Sequence, residues 1–178
     1  MDALPHTNNL RLIFLGDIVG EPGRKAVADF IPKIRESRGI DFIVVNGENA
    51  AGGRGITPKI AIGLLRAGAT VITTGDHIWD QKEIIDYLPT EPRLLRPLNY
   101  PDGTPGQGSV VLETEKGPVA ILNAQGRTFM NPPLENPFLA IDAELELIRK
   151  EKDVRMVFVD FHAEATSETI ATGRYLDG

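Results

Sequence analysis

Four short apolar runs, each ending on side chains able to hold a cation, constrain this chain more than any other feature. Leu12-Ile13-Phe14-Leu15 runs into Gly16-Asp17, and Phe42-Ile43-Val44-Val45 into Asn46-Gly47-Glu48-Asn49. Ala69-Thr70-Val71-Ile72-Thr73 runs into Thr74-Gly75-Asp76-His77, and Val154 to Val159 leads through Asp160-Phe161 to His162. Short β-branched runs alternating with amphipathic segments are the pattern of a mostly parallel sheet covered by helices. In such α/β sheets ligands sit at the carboxyl ends of strands. The expected site therefore gathers Asp17, Glu48, Asn49, Asp76, His77 and His162 from across the whole chain.

Local signals fill in the rest. Arg24 to Arg38 reads as a helix with Val27, Phe30, Ile31 and Ile34 on one stripe and Pro32 badly placed inside it. Thr57 caps a second helix that starts at Pro58, and Gly68 stands where it should end. Asp80 is expected to cap a third, running towards Leu88 and stopped by Pro89. From Pro89 to Gly108 five prolines and three glycines predict a long irregular segment. Ser109 to Thr114 and Pro118 to Asn123 flank Glu115-Lys116-Gly117 as a β-hairpin. Phe138 to Lys150 is expected to be a helix with Leu139, Ala143, Leu147 and Ile148 inward. The expectation is an α/β fold of three layers, with a mostly parallel central sheet and an inserted β-hairpin. With 178 residues and no repeat or linker, residues 1–178 are expected to form one domain.

Oxygen donors mixed with imidazole suit Mn²⁺, Fe or Zn²⁺, and a set this rich can hold two ions about 3.5–4 Å apart to clamp a phosphoryl group. Taken singly, Asp17 reads as a turn cap and His77 as a satisfied histidine under the Trp79 ring. Beside the other strand ends, both read as parts of a site. Glu48, directly behind an apolar run, needs a partner if buried, and a metal is the simplest one. His77 can donate a proton near neutral pH, as a leaving alkoxide requires. Gly16 to Gly23 does not match the dinucleotide fingerprint, and there is no Gly-Lys-Ser/Thr phosphate loop. Ala50 to Gly55 either offers Arg54 to a substrate or is an ordinary connection. Arg127 and Glu164 read more simply as solvated groups.

Gly16-Asp17-Ile18-Val19-Gly20, Asn46-Gly47-Glu48-Asn49-Ala50, Gly75-Asp76-His77-Ile78-Trp79-Asp80 and Asp160 to Glu168 together resemble the metal blocks of the calcineurin-like metallophosphoesterases. More narrowly they resemble the bacterial YmdB-type branch of 2′,3′-cyclic-nucleotide 2′-phosphodiesterases. The resemblance implies Asp17, Glu48 and Asn49 on one metal, Glu48, Asp76 and His162 on the other, and His77 as proton donor. It also implies hydrolysis of a phosphodiester by metal-activated water. Two departures stand out. Asp76 replaces the usual Asn, and the family's Gly-Thr-His-x-His block, with two more ligands, does not occur before Gly178. The domain is therefore expected to be incomplete at its C-terminal side, with each metal left three protein ligands and at most one ion retained. A fold-retaining regulatory or scaffold protein with impaired catalysis is the rival expectation.

Composition excludes other classes. A net charge of −6 argues against stable nucleic-acid binding, which needs clustered Lys and Arg. It does not exclude a small anionic substrate, because bound divalent ions would reverse the field locally. The absence of cysteine excludes disulfides and thiolate sites. Met1 to Leu10, broken by Pro5, does not resemble a signal peptide, His6 within it is assigned nothing, and no run is long enough to span a bilayer. A cytoplasmic protein without membrane partners is expected. Self-association is compatible with all of this.

Overall fold

A computed structural model describes residues 9–177. The reading of the leader, including His6, falls mostly outside them. The order of elements is β1 (Leu12–Leu15), α1 (Gly20–Arg38), β2 (Phe42–Asn46), α2 (Pro58–Ala67), β3 (Val71–Thr73), α3 (Ile84–Tyr87), β4 (Ser109–Leu112), β5 (Val119–Gln125), α4 (Pro137–Glu151), β6 (Met156–His162) and α5 (Thr166–Leu176). The α/β class, the mostly parallel strands and the β4–β5 hairpin are as expected. A single central sheet is not what forms: β1-β2-β3 make one parallel sheet, and β4-β5-β6 a second in which β5 and β6 are parallel.

The reason lies in the alternation of side chains along each strand. On β2, Ile43 and Val45 pack against Val27 and Ile31 of α1 and Ala61 and Leu64 of α2. The opposite parity, Phe42 and Val44, joins Val71, Val119, Ile121, Met156 and Phe158 in a core between the sheets. On β5 the other parity, Ala120, Leu122 and Ala124, packs against Ile141 and Ile148 of α4. Strands apolar on both faces need cover on both, and here each sheet covers the other. The layers run helix, sheet, sheet, helix.

Local signals performed well where the physics is local. Thr57 Oγ1 accepts from the Ile60 amide at 3.3 Å, Pro58 occupies the first turn, and Gly68 closes α2 at φ 111°. Pro32 is tolerated inside α1. Val27, Ile31 and Ile34 of α1 and Ile148 of α4 face inward as expected, but the rest of each stripe does not. Phe30 is exposed, and on α4 Leu139, Ala143 and Leu147 face outward while Ile141 and Ile148 are buried. The α4 sequence carries two apolar stripes, and the packing of the second sheet chooses between them. Asp80 caps no helix. A 3₁₀ turn spans Asp76–Trp79, Asp80 closes it, and Leu88–Thr90 forms another that includes Pro89.

The irregular segment joins the two sheets. Ile72 N donates to Arg93 O and Leu95 N to Ile72 O, both at 2.8 Å, continuing the first sheet. Leu98 N then donates to Asn123 O at 2.7 Å and Asn123 N to Gly108 O at 2.9 Å, on the second. Buried Arg96 holds the loop with its guanidinium, donating to the carbonyls of Pro105, Pro97 and Thr104 at 3.1, 2.8 and 3.3 Å. Burial lowers its pKa. Among the described residues no helix is long and apolar enough to cross a membrane.

Candidate metal centre

Two sheets packed with their parallel strands in register present their carboxyl ends together. Following the inner parity outwards, the apolar layer of Val44, Val71, Ile121 and Phe158 gives way to Asn46, Thr73, Asn123 and Asp160, all buried. One step further come Glu48, Gly75, Gln125 and His162. The period of two thus turns a dry core into a polar layer and then into a cluster of charged groups.

The six expected residues converge there. Asp17, after β1, adopts a left-handed backbone at φ 44°, a conformation Asp tolerates better than most residues. Its Oδ1 accepts from Asn49 Nδ2 at 2.7 Å, and the same nitrogen reaches Glu48 Oε1 at 3.1 Å. Glu48 Oε1 lies 3.3 Å from His77 Nδ1, and Glu48 Oε2 lies 2.9 Å from His162 Nε2. His162 Nε2 is also 3.3 Å from Asp76 Oδ1, and His77 Nε2 is 3.8 Å from Asp76 Oδ2. Glu48 is 2% exposed, and its Oε2 has no donor in hydrogen-bonding alignment. Glycine is required at position 75, because a Cβ there would collide with the Glu48 carboxylate and the His162 ring.

Such an arrangement is poorly satisfied by its own members. Three carboxylates and two imidazoles crowd together; Glu48 is buried, Asp76 partly so and Asp17 exposed, and leaving the buried Glu48 carboxylate without a cation is costly. Oxygen and nitrogen ligands at about 2.0–2.2 Å from one ion stand roughly 3–3.5 Å from each other, close to the separations found here. Glu48, Asp76 and His77 offer donor atoms that all lie within 4.8 Å of one another, so the geometry admits His77 as a ligand as well as a proton donor. The donor set therefore fits a hard or borderline divalent ion. Burial alone would lower the pKa of His162, but the adjacent Glu48 carboxylate and the charges of Asp76 and Asp160 outweigh it and raise it to about 9. Asp160 is shifted upward by burial, against the hydrogen bonds it receives.

The other sequence candidates are accounted for differently. Arg54 is engaged with Asp80, Nε to Oδ2 at 2.9 Å, while its carbonyl accepts from Gln81 Nε2 at 3.0 Å. Loop 50–55 is therefore clamped to the turn carrying Asp76 and His77. Glu164 is exposed. Beside Arg127, Glu168 of α5 accepts from the Arg127 amide at 2.9 Å and the Thr128 amide at 3.1 Å. The polar layer was missed. Its signal was present as a polar residue two positions before the ligand on a buried strand, Asn46 before Glu48 and Asp160 before His162.

The description of the YmdB-like proteins matches residues 13–178, nearly the whole chain. The chain belongs to the YmdB-like family. A 2′,3′-cyclic-nucleotide 2′-phosphodiesterase of Bacillus subtilis (strain 168) is 48% identical over 170 residues, covering 95% of this chain and 63% of the relative. The crystal structure of a novel phosphatase from Mycoplasma pneumoniae superposes with a TM-score of 0.84 at 36% identity, covering 95% of this chain and 60% of that one. Haemophilus influenzae NAD nucleotidase, at 11% identity and a TM-score of 0.66, covers 91% of this chain and 39% of its own, and shares the fold. The fold expected from the metallophosphoesterase resemblance is borne out. The chain spans about three fifths of the length of its YmdB-like relatives.

Proposed function

We propose that this chain is a metal-dependent phosphodiesterase acting on 2′,3′-cyclic nucleotides. The observation that carries the reading is the meeting of Asp17, Glu48, Asn49, Asp76, His77 and His162 in one cleft, with Glu48 buried among them. The substrate class is supported by the similarity to the 2′,3′-cyclic-nucleotide 2′-phosphodiesterase of Bacillus subtilis. With the two further ligands of the family's Gly-Thr-His-x-His block, Asp17, Glu48 and Asn49 would hold one divalent ion and Glu48, Asp76 and His162 a second, iron or manganese before zinc because oxygen donors predominate. Ions held there supply Lewis acidity and neutralise the phosphodiester charge.

In the reaction, water adds to phosphorus, the P–O2′ bond breaks, and the departing O2′ takes up a proton to leave a nucleoside 3′-phosphate. His77 would provide that proton. Its Nδ1 faces Asn49 Oδ1 at 2.9 Å, which orients the ring. Glu48 touches both histidines, so it links the two halves of the centre. A cytoplasmic setting and a freely diffusing anionic substrate, without stable binding of nucleic-acid polymers, complete the reading.

Calorimetric titration with Mn²⁺ and Fe²⁺, followed by product analysis with 2′,3′-cyclic AMP, tests it. Saturable binding and appearance of 3′-AMP are expected. Two bound ions without hydrolysis, or 2′-AMP as the product, would overturn the assignment.

A further inference from the structure

The strands that carry Glu48 and His162 belong to different sheets. No backbone ladder runs between β2 and β6, so hydrogen bonding within the sheets does not set how far apart these two ligand candidates stand. Side chains cross the gap instead, among them Asn123, whose Nδ2 donates to Thr74 O at 3.0 Å, and a buried pair directly beneath the two candidates. Asn46 Nδ2 donates to Asp160 Oδ2 at 3.0 Å, between residues 114 apart in sequence, and Asn46 Oδ1 accepts from the Glu48 amide at 3.3 Å. Asn46 lies two residues before Glu48 and Asp160 two before His162, so each stands on the same strand face as the group it supports. All three of Asn46, Asp160 and Glu48 are buried, at 2%, 7% and 2% exposure.

We propose that Asn46 and Asp160 are a positioning pair that holds the Glu48 turn of one sheet at a set distance from the His162 strand of the other. The inference rests on the metal reading above, in that Glu48 and His162 are taken as ligands. The amide suits the task because one end donates across the sheets while the other receives the Glu48 amide. A carboxylate on β6 serves as an acceptor sheltered from water, where a hydrogen bond is electrostatically stronger than in solvent. Neither side chain needs to touch an ion or a substrate.

The test compares the wild-type protein with Asn46→Ser and with the exchange Asn46→Asp/Asp160→Asn. Serine keeps a short acceptor for the Glu48 amide but cannot reach Asp160. The exchange preserves net charge and reverses the direction of donation. Mn²⁺ affinity is expected to fall about 10–100-fold in Asn46→Ser, as for other partners that orient metal ligands, and to return to near the wild-type value in the exchange. Wild-type affinity in Asn46→Ser, or an exchange variant as weak as Asn46→Ser, would overturn the proposal. If Asn46→Ser does not fold, the exchange decides alone, normal affinity upholding the link and a loss of about tenfold or more refuting it.

The wild-type titration separately tests the metal reading. If the wild-type protein binds no ion, that reading falls, and the pair is judged by amide hydrogen exchange of Gly47, Glu48 and Asn49 in the metal-free variants. Faster exchange in Asn46→Ser with protection restored in the exchange variant upholds it. Equal exchange in all three proteins refutes it.

Discussion

The amide oxygen of Asn49 sits 2.9 Å from Nδ1 of His77. Without an ion, Asn49 Nδ2 is directed at Asp17 Oδ1 and Glu48 Oε1 and its oxygen faces the imidazole, so the amide must turn for that oxygen to join Asp17 and Glu48 on an ion. Nδ1 therefore carries the hydrogen in this contact, and Nε2 is the nitrogen available for transfer. His77→Ala is expected to lower kcat by about 10²–10⁴-fold while metal content stays near that of the wild type. Glu48→Ala should lose both. Metal analysis beside steady-state kinetics separates the roles, and equal metal loss in the two variants would make His77 a ligand.

Asp76 contributes a full negative charge where an amide would contribute none. Asp76→Asn keeps the shape and removes the charge, so Mn²⁺ affinity should fall, by about tenfold if the lost interaction is near 1.4 kcal/mol. The anionic substrate would then meet less repulsion, and KM should fall at saturating metal. Calorimetry and kinetics on the same preparation check both directions, and a rise in KM would count against the electrostatic account.

The pKa of His162, raised to about 9, has a consequence for the metal-free protein. The folded state holds that proton more tightly than the unfolded chain, whose histidine titrates near 6.5. The resulting stabilisation is complete below about pH 6.5 and is lost as pH rises through about 9. Urea unfolding in the presence of chelator should show stability declining across this window. In His162→Ala the decline should be smaller, and an unchanged slope would mean that another group titrates there.

Arg96 donates to three carbonyls of the segment that joins the sheets. Arg96→Ala leaves those acceptors unpaired and opens a gap beneath them, with an expected loss of about 2–4 kcal/mol. Arg96→Lys should recover part of it, since an ammonium can reach some of the three but lacks the planar fork. Denaturant midpoints for the two variants check the order. Because Arg96 lies outside the cluster, per-molecule metal affinity of the folded fraction should be little changed.

Sequence alone determined the features whose causes are local. Thr57, Pro58 and Gly68 specify α2 through a side-chain cap, a pre-set φ and a left-handed terminus, none of which depends on distant residues. The carboxyl ends at Asp17, Glu48, Asp76 and His162 were equally legible, because a short apolar run closed by a polar turn announces its own end. Tertiary structure decided the rest. Whether four parallel runs make one sheet or two depends on which strands pair, and the alternation of Phe42 with Ile43 supports cover on both faces without naming what supplies it. The outward turn of Leu139 and Leu147 follows from the same cause, since Ile141 lines up with the expected Ile148 in a stripe that packs on the second sheet. The bond from Asn46 to Asp160 spans 114 residues. No local rule joins those two positions, and only the packing of one sheet on the other brings them within reach.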